Sequence, residues 1–239
     1  GVTQEMQYLL HQEVIRFLEQ KFNLKAHIIK ATVLHAASLG ESVIDELIAD
    51  LEVKENPTVG LLAHPGQVDI RVTAKASSED EANLMIQPIL EDLHNRLGDH
   101  IYGYDKVTLE DVICRLLKES GSTLGMVHYG FDSSFGETFL NAQPQQVKML
   151  MLKTPPRDLE TLVAETLKFR LDNNNTLGFG LVLKTHEHPV LHIAFQDGNQ
   201  TRSHTSHYGG PMGNGTRWAK NVGLDTLRRN LMQFIGNKR

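Results

Sequence analysis

Cysteine is nearly absent from this chain, which has one such residue, Cys114, in 239. A single cysteine cannot form a disulfide within the chain, so no internal disulfide stabilises the fold. Cys114 falls on a predicted helix among the apolar residues Val112, Ile113, Leu116 and Leu117. This setting predicts a small buried core residue rather than a reactive thiol.

Long apolar runs and runs of basic residues are also missing. No apolar stretch approaches the ~20 residues that span a bilayer, and Gln4, Glu5 and Gln7 interrupt the apolar amino terminus, unlike a signal peptide. The net charge is −5, whereas a surface that binds nucleic acid needs basic residues to neutralise phosphates. We therefore expect a cytoplasmic protein that makes no membrane contact and does not mainly bind nucleic acid.

What the sequence does contain is an ordinary globular composition, with 40% hydrophobic and 22% charged residues. This composition supplies enough apolar residues for a buried core. A length of 239 residues fits one large domain or two small ones.

The most regular stretch, residues 56–97, predicts a hairpin with a helix packed on it. An apolar run over 58–63 ends in a His-Pro-Gly turn, and Val68, Ile70 and Val72 then alternate with polar residues, as in a half-buried strand. Ser77 or Ser78 can cap the following helix. Its apolar residues recur at helical spacing, and Pro88 inside the pattern predicts a kink.

The remaining patterns predict two domains, an α+β amino-terminal part over residues 1–118 and an α/β sandwich over 119–239. Besides the hairpin and helix of residues 56–97, the first part is predicted to contain helices over 3–22, 41–51 and 109–119, a strand over 26–37 and a short strand or connector over 99–105. The second part has strands over 123–129, 147–153, 177–183 and 190–196, and helices over 158–171 and 215–235. Gly121, between two serines, marks the predicted boundary.

Five short motifs point to a known family. In chain order they are GVTQEM, LGES, NPTVGLLAHPGQVDIRVTAKA, LGDHIYGYD and TLEDVICRLL. Residues 1–121 resemble the competence/damage-inducible CinA family, whose middle region is of KH type. KH domains hold nucleic acid with a GXXG loop, which residues 1–121 lack. We therefore expect a spacer or dimer surface rather than an RNA-binding module.

The resemblance also implies a longer protein. In the family, GVTQEM closes an amino-terminal molybdopterin-binding-like domain whose active-site residues lie upstream of Gly1. The chain is therefore expected to be a piece of such a protein, with the family's ADP-ribose pyrophosphatase activity outside it.

The family's carboxy-terminal domain resembles a nicotinamide-nucleotide amidohydrolase, which acts on a pyridine nucleotide, nicotinamide mononucleotide. Its motifs are AESCTGG with a serine nucleophile, YSNxxK with a lysine, and a glycine-rich VTGIAGPGG loop. Here TLGMVHYGF places Tyr129 at the serine position and His128 at the preceding glutamate. One alignment puts Lys148 on the family lysine and another deletes that segment, while LVLKTHEHP replaces the glycine-rich loop.

These departures predict a degenerate amidohydrolase-like domain with no catalytic residues. The candidates for lining a substrate cleft are His128, Tyr129, Lys184, His186 and His188. We expect no metal and no cofactor, although His186, His188, His204 and His207 could approach one ion. A loop rich in histidine and polar residues is more often simply solvated, and no carboxylate or cysteine set accompanies these four.

Two features of the carboxyl end remain. The run GGPMGNG over 209–215 could hold an anion at the start of the last helix, although a flexible turn is favoured. Arg217, Arg228 and Arg229 are predicted to form that helix's solvated face. Trp218 and Phe234 either form a surface for a homodimer or complete the core of the monomer.

Three hypotheses for the function follow. The carboxy-terminal domain is a non-catalytic remnant with a structural, oligomerisation or ligand-binding role, an active amidohydrolase or other nucleotide hydrolase with a rearranged site, or a module that binds a nucleotide-like molecule. Loss of the serine and of the glycine-rich loop favours the first.

Overall fold

The computed structural model describes residues 2–22, 27–142, 145–185 and 188–237. The chain begins with helix α1 (Val2–Leu9), a π-helical turn (Leu10–Val14) and helix α2 (Ile15–Phe22). None of these residues is buried. The apolar stripe predicted from the sequence is therefore present, but it faces solvent.

A four-stranded antiparallel sheet follows, with strand order β2-β3-β1-β4. Its elements are β1 (Ile28–Ala37), α3 (Glu41–Glu52), β2 (Thr58–His64), β3 (Gln67–Ala76), α4 (Glu79–Leu97), a 3-10 turn (Gly98–His100) and β4 (Ile101–Tyr104). This part is the α+β domain that the sequence predicts.

The alternation in β3 explains how this domain folds. Val68, Ile70 and Val72 are buried on one sheet face, because successive side chains of a strand point to opposite sides. Helices α3 and α4 cover that face and share one core with it. Ser78 caps α4 by accepting a hydrogen bond from the Glu81 amide at 3.2 Å, and Pro88 lies inside a helix that continues to Leu97.

Helix α5 (Leu109–Ser120) connects this domain to the next. Thr108 and Asp111 form a capping box at its start, which pairs orphan helix donors with both side chains. Its buried residues, including Leu117, belong to the core of the second domain. By packing, α5 therefore goes with the carboxy-terminal part, and the division at residues 118 and 119 stays a prediction about independent folding.

The second domain is a five-stranded mixed sheet with order β6-β5-β7-β8-β9, in which β6, β5 and β7 are parallel and β8 and β9 antiparallel. Its elements are β5 (Leu124–Tyr129), a 3-10 turn (Ser133–Gly136), α6 (Glu137–Ala142), β6 (Val147–Met151), α7 (Leu159–Asp172), β7 (Leu177–Lys184), β8 (Val190–Gln196), β9 (Thr201–His207), a second 3-10 turn (Met212–Asn214) and α8 (Gly215–Gly236). Helix α7 packs on one sheet face, and α5 and α8 on the other.

The prediction that Arg228 is solvated is wrong. Arg228, predicted to be solvated, is 2% exposed and donates to Asp225 at 2.7 Å and to the Asp99 carbonyl at 2.7 Å. Phe234 is buried in the domain's own core, and Trp218 stacks on Tyr208 with ring centroids 5.1 Å apart. The two aromatic side chains therefore complete the monomer instead of forming an exposed patch.

Asp225 is the centre of the contact between the two domains. It is fully buried and accepts hydrogen bonds from Ser38, Arg228 and Arg229. Because Ser38 follows β1 and the two arginines lie on α8, one carboxylate ties the first sheet to the last helix. The hairpin turn adds a second tie, since Asn221 donates to the Pro65 carbonyl at 2.8 Å.

Cys114 is 7% exposed, as predicted from its neighbours. Burial, with Asp111 and Glu110 nearby, raises the pKa of its thiol to about 11, which keeps it protonated and unreactive at neutral pH. Among the described residues, no helix combines the length and apolar character needed to cross a membrane.

Candidate functional site

The carboxyl end of β5 lies at the centre of the three parallel strands. In open α/β sheets, ligands bind in crevices outside the carboxyl ends of the strands. The chain leaves β5 through Gly130, whose φ of +85° is in the left-handed region. A β-carbon at this position would lie 2.3 Å from the Leu183 carbonyl oxygen. Glycine therefore allows the chain to turn sharply away from β7 at this point.

Beyond this turn lies a cleft of about 380 Å³, which we call the α8 cleft. It is lined by Phe131, Asp132, Ser134 and Phe135 after β5, and by Gly213, Thr216, Arg217 and Lys220 at the start of α8. The rings of Phe131 and Phe135 stack with centroids 4.6 Å apart and planes 25° apart. The cleft thus combines an aromatic wall with basic and hydroxyl side chains.

Among the charged side chains of the α8 cleft, Asp132 and Lys220 have partners in the described structure and Arg217 does not. Hydrogen bonds from the Ser134 hydroxyl and backbone amide, with a smaller effect of the Lys220 charge, lower the pKa of Asp132. Lys220 pairs with Glu110 at 2.6 Å. Arg217 is exposed and has no ion-pair partner among the residues described. A free guanidinium beside a cleft is suited to bind a carboxylate or a phosphate.

The start of α8 follows directly on the 3-10 turn, and the Gly215 amide donates to the Met212 carbonyl. Asn214, at the N-cap position, makes no side-chain hydrogen bond to the helix. The first amide groups of a helix lack partners within it, and the helix dipole favours an anion there. The run GGPMGNG, which the sequence offered as an anion cradle or a flexible turn, leads into this helix end.

His128 is the one predicted cleft residue that lies beside this cleft. Its ring packs under Phe135, at 5.2 Å between centroids, and it is 5% exposed. Burial lowers its pKa, so the ring is neutral at pH 7. Its Nδ1 atom has no hydrogen-bond partner in the described structure.

The other candidates lie elsewhere. Tyr129 packs on the opposite sheet face, against the small core under α7, and Lys184 donates to the Arg157 carbonyl at 3.0 Å. His188 is exposed between β7 and β8, and His186 lies outside the described residues. The structure therefore does not bring the four described candidates, His128, Tyr129, Lys184 and His188, together.

Metal-binding geometry is also absent from the described part of the chain, where no group of three histidine, cysteine or acidic side chains could hold an ion. His204 and His207 lie three residues apart on β9. Side chains at this spacing point to opposite sides of a strand, so these two do not converge.

Sequence reasoning missed Asp132, Ser134 and Lys220 as cleft residues. The available signal was Gly130 directly after a buried strand, followed by Phe-Asp-Ser-Ser, a pattern typical of a turn at a sheet edge. The Ser134 hydroxyl donates to Asp132 at 2.5 Å. No histidine or lysine among the described residues accepts from it, so the structure contains no activated serine there.

Comparison with known proteins finds matches to part of the chain. Residues 31–103 match the family model described as "Damage-inducible protein CinA KH domain". A putative competence-damage inducible protein of Clostridium botulinum is 39% identical over 125 residues, which are 52% of this chain and 30% of that protein. A CinA-like protein of Dictyoglomus turgidum is 35% identical over 127 residues, 53% of this chain and 30% of the relative.

The chain therefore spans about a third of the length of these relatives. Among solved structures, a competence-damaged protein (CinA) superfamily protein from Enterobacter cloacae aligns with 53% of this chain and 94% of its own, with a TM-score of 0.44 and 12% identity. A competence/damage inducible protein from Agrobacterium tumefaciens aligns with 55% of this chain and 96% of its own, with a TM-score of 0.41 and 11% identity.

Proposed function

We propose that the chain is a CinA-family protein, since residues 31–103 match that family's KH-domain model, and that its carboxy-terminal domain binds a nucleotide-like molecule in the α8 cleft without hydrolysing it. The observation that carries the proposal is the pairing of the stacked Phe131 and Phe135 rings with the unpaired Arg217. A flat heterocycle can stack on aromatic rings, while a guanidinium and a helix amino terminus bind phosphate. A nucleotide carries both chemical groups.

The side chains described around Ser134 do not favour hydrolysis. A serine nucleophile needs a base that accepts its proton. Its only hydrogen-bond acceptor in the described structure is Asp132, whose lowered pKa makes that carboxylate a weak base. Tyr129, at the position of the family's serine, lies on the other sheet face. The domain therefore keeps a binding cleft but lacks an activated nucleophile.

We expect nicotinamide mononucleotide to raise the melting temperature of the protein with no ammonia released above background. A ligand that binds only the native state stabilises it, by about 2.7 kcal/mol at 100 times its dissociation constant. Differential scanning fluorimetry with the mononucleotide, its acid form and ADP-ribose measures this shift, and an ammonia assay on the same samples measures turnover. The Arg217→Ala variant is expected to lose most of the shift.

Arg115→Ala is the matched control, since Arg115 is exposed on α5 and does not line the cleft. If none of the three ligands shifts the melting temperature, the binding proposal is wrong. The alternative, an active amidohydrolase with a rearranged site, is favoured by the hydroxyl of Ser134 in the cleft. Ammonia release that Ser134→Ala abolishes would establish that alternative.

Self-association as a homodimer stays a prediction, but a different surface of the protein now supports it. Trp218 and Phe234 are packed within the monomer. The largest exposed apolar series is instead on the amino-terminal helix, at Val2, Met6, Tyr8, Leu9, Leu10, Val14, Phe17, Leu18 and Phe22. Apolar patches of this size are typical of protein contacts.

We expect light scattering to report twice the mass of 26.8 kDa. A double variant, Leu10→Glu with Val14→Glu, separates the two surfaces, because a charge on each side chain opposes burial of this helix. If the variant is a monomer, the amino-terminal helix forms the dimer; if it stays dimeric, another surface does. A monomeric wild-type protein at tens of micromolar contradicts the prediction.

A further inference from the structure

A second cavity lies where the two domains meet, and it is separate from the aromatic wall of the α8 cleft. It has a volume of about 250 Å³. Its polar lining includes His35, Gln67 and Tyr102 from the first domain, and Glu110, Lys220 and Asn221 from α5 and α8. We call it the junction cavity. Lys220 borders both cavities, whereas Tyr102 lines only this one.

Tyr102 is a buried polar group that the protein itself leaves without a partner. It is 8% exposed, and its hydroxyl makes no hydrogen bond to any described residue. Its ring stacks on His35, with centroids 5.5 Å apart and planes 20° apart. Burial, followed by the nearby charges of Asp69 and Glu110, raises the pKa of the Tyr102 hydroxyl, so it remains a hydrogen-bond donor. Because Tyr102 lines the cavity and no described residue pairs with its hydroxyl, that hydroxyl is open to a molecule bound there.

Glu110 provides the matching acceptor. It is 8% exposed, and Lys220 pairs with one of its oxygens at 2.6 Å. Its other oxygen has no partner among the described residues. The side-chain oxygens of Gln67 and Asn221 are also free, because the amide nitrogens of these residues bind Asp69 and the Pro65 carbonyl. The cavity therefore presents one donor hydroxyl and three free acceptor oxygens.

The charges around the cavity are balanced. Asp105 and Glu110 line it together with Lys106 and Lys220. Asp69, behind the lining, is already bonded on both oxygens by His35 at 2.7 Å and His64 at 3.1 Å. The two acidic and two basic side chains give the lining no net charge that would favour an anion or a cation. The cavity is suited to a neutral ligand.

From these features we propose that the junction cavity binds a small neutral polyhydroxylated molecule, of the size of a monosaccharide or cyclic polyol. Hydroxyl groups both donate and accept, so they match the free oxygens of Glu110, Gln67 and Asn221 and the hydroxyl of Tyr102. The C–H face of a sugar or cyclic polyol ring can pack against the rings of His35 and Tyr102, which line the cavity. Since both domains supply binding residues, the bound molecule would also bridge the two domains.

Saturation-transfer NMR with D-ribose, D-glucose and myo-inositol tests the proposal on the full chain. We expect saturable binding of at least one probe. The Tyr102→Phe variant keeps the ring and loses only the hydroxyl, so it should weaken binding by about fivefold, the effect of one neutral hydrogen bond. Tyr104→Phe on the same strand is the matched control, because Tyr104 bonds to His94 and does not line the cavity.

Arg217→Ala should leave polyol binding unchanged, which separates this site from the α8 cleft. The proposal is overturned if none of the three probes binds, or if Tyr102→Phe binds as tightly as the wild type. It is also overturned if D-ribose 5-phosphate binds more tightly than D-ribose in a way that depends on Tyr102, since the ligand class would then be anionic.

Discussion

Replacing Asp225 by alanine is expected to lower the free energy of unfolding by about 3–5 kcal/mol, the usual cost of removing one partner of a buried ion pair. The Asp225 side chain is fully buried and pairs with Arg228, which is 2% exposed. Without the carboxylate, the Arg228 guanidinium would be left buried with only the Asp99 carbonyl as a strong acceptor. Urea unfolding monitored by circular dichroism at pH 7 measures the change.

The control is Asp50→Ala, which removes a carboxylate that also pairs with an arginine, Arg96. The Asp50 side chain is 65% exposed and Arg96 keeps Asp92 as a partner, so the midpoint should barely move. If Asp225→Ala unfolds at the same urea concentration as Asp50→Ala, the buried pair does not stabilise the fold as we infer.

A comparably large loss of stability, about 2–5 kcal/mol, is expected for Gly130→Ala. Two effects add at this position. The φ of +85° is unfavourable for any residue with a β-carbon. In addition, the new methyl group would lie 2.3 Å from the Leu183 carbonyl oxygen, so β7 or the turn must move. Thermal unfolding measures the loss of stability. A ligand-binding assay measures whether the displaced turn also disrupts the α8 cleft.

Gly121→Ala isolates the backbone effect from the steric one. Gly121 ends α5 with a φ of +62°, but nothing lies within 4 Å of a β-carbon built there. We therefore expect a loss of only about 1–2 kcal/mol. Equal losses for the two variants would mean that the contact with Leu183 is relieved without cost.

The amino-terminal domain was largely predictable because its signals are local. The alternation of Val68, Ile70 and Val72 and the serine cap at Ser78 depend only on neighbouring residues. The place of α5 was not predictable, since its apolar side could pack on either domain. Strand β9 (Thr201–His207) was missed because its residues are almost all polar, and an edge strand needs no alternating apolar pattern.

The candidate site was predicted less well, for a reason of geometry. His128 and Tyr129 are adjacent on β5, and adjacent side chains of a strand point to opposite faces. The two side chains therefore cannot line the same cleft, and only His128 lies near the α8 cleft. The long-range partners of α8 gave no sequence signal either. Asp225 lies three residues from Arg228 on the same helix, but Arg228 resembles a solvated helix residue until the fold brings Ser38 to Asp225 and the Asp99 carbonyl to Arg228.

The position of Trp218 gives the protein an optical property. It is the chain's one tryptophan, and it stacks on Tyr208, while its backbone oxygen lies 3.1 Å from a β-carbon built at Gly66 in the hairpin turn. Its indole therefore lies beside the seam between the first sheet and α8. Emission excited at the red edge of protein absorbance comes from this one tryptophan, which also lines a cavity with Ser38 and Gly66 of the first domain, so separation of the two halves is expected to change it without any attached dye.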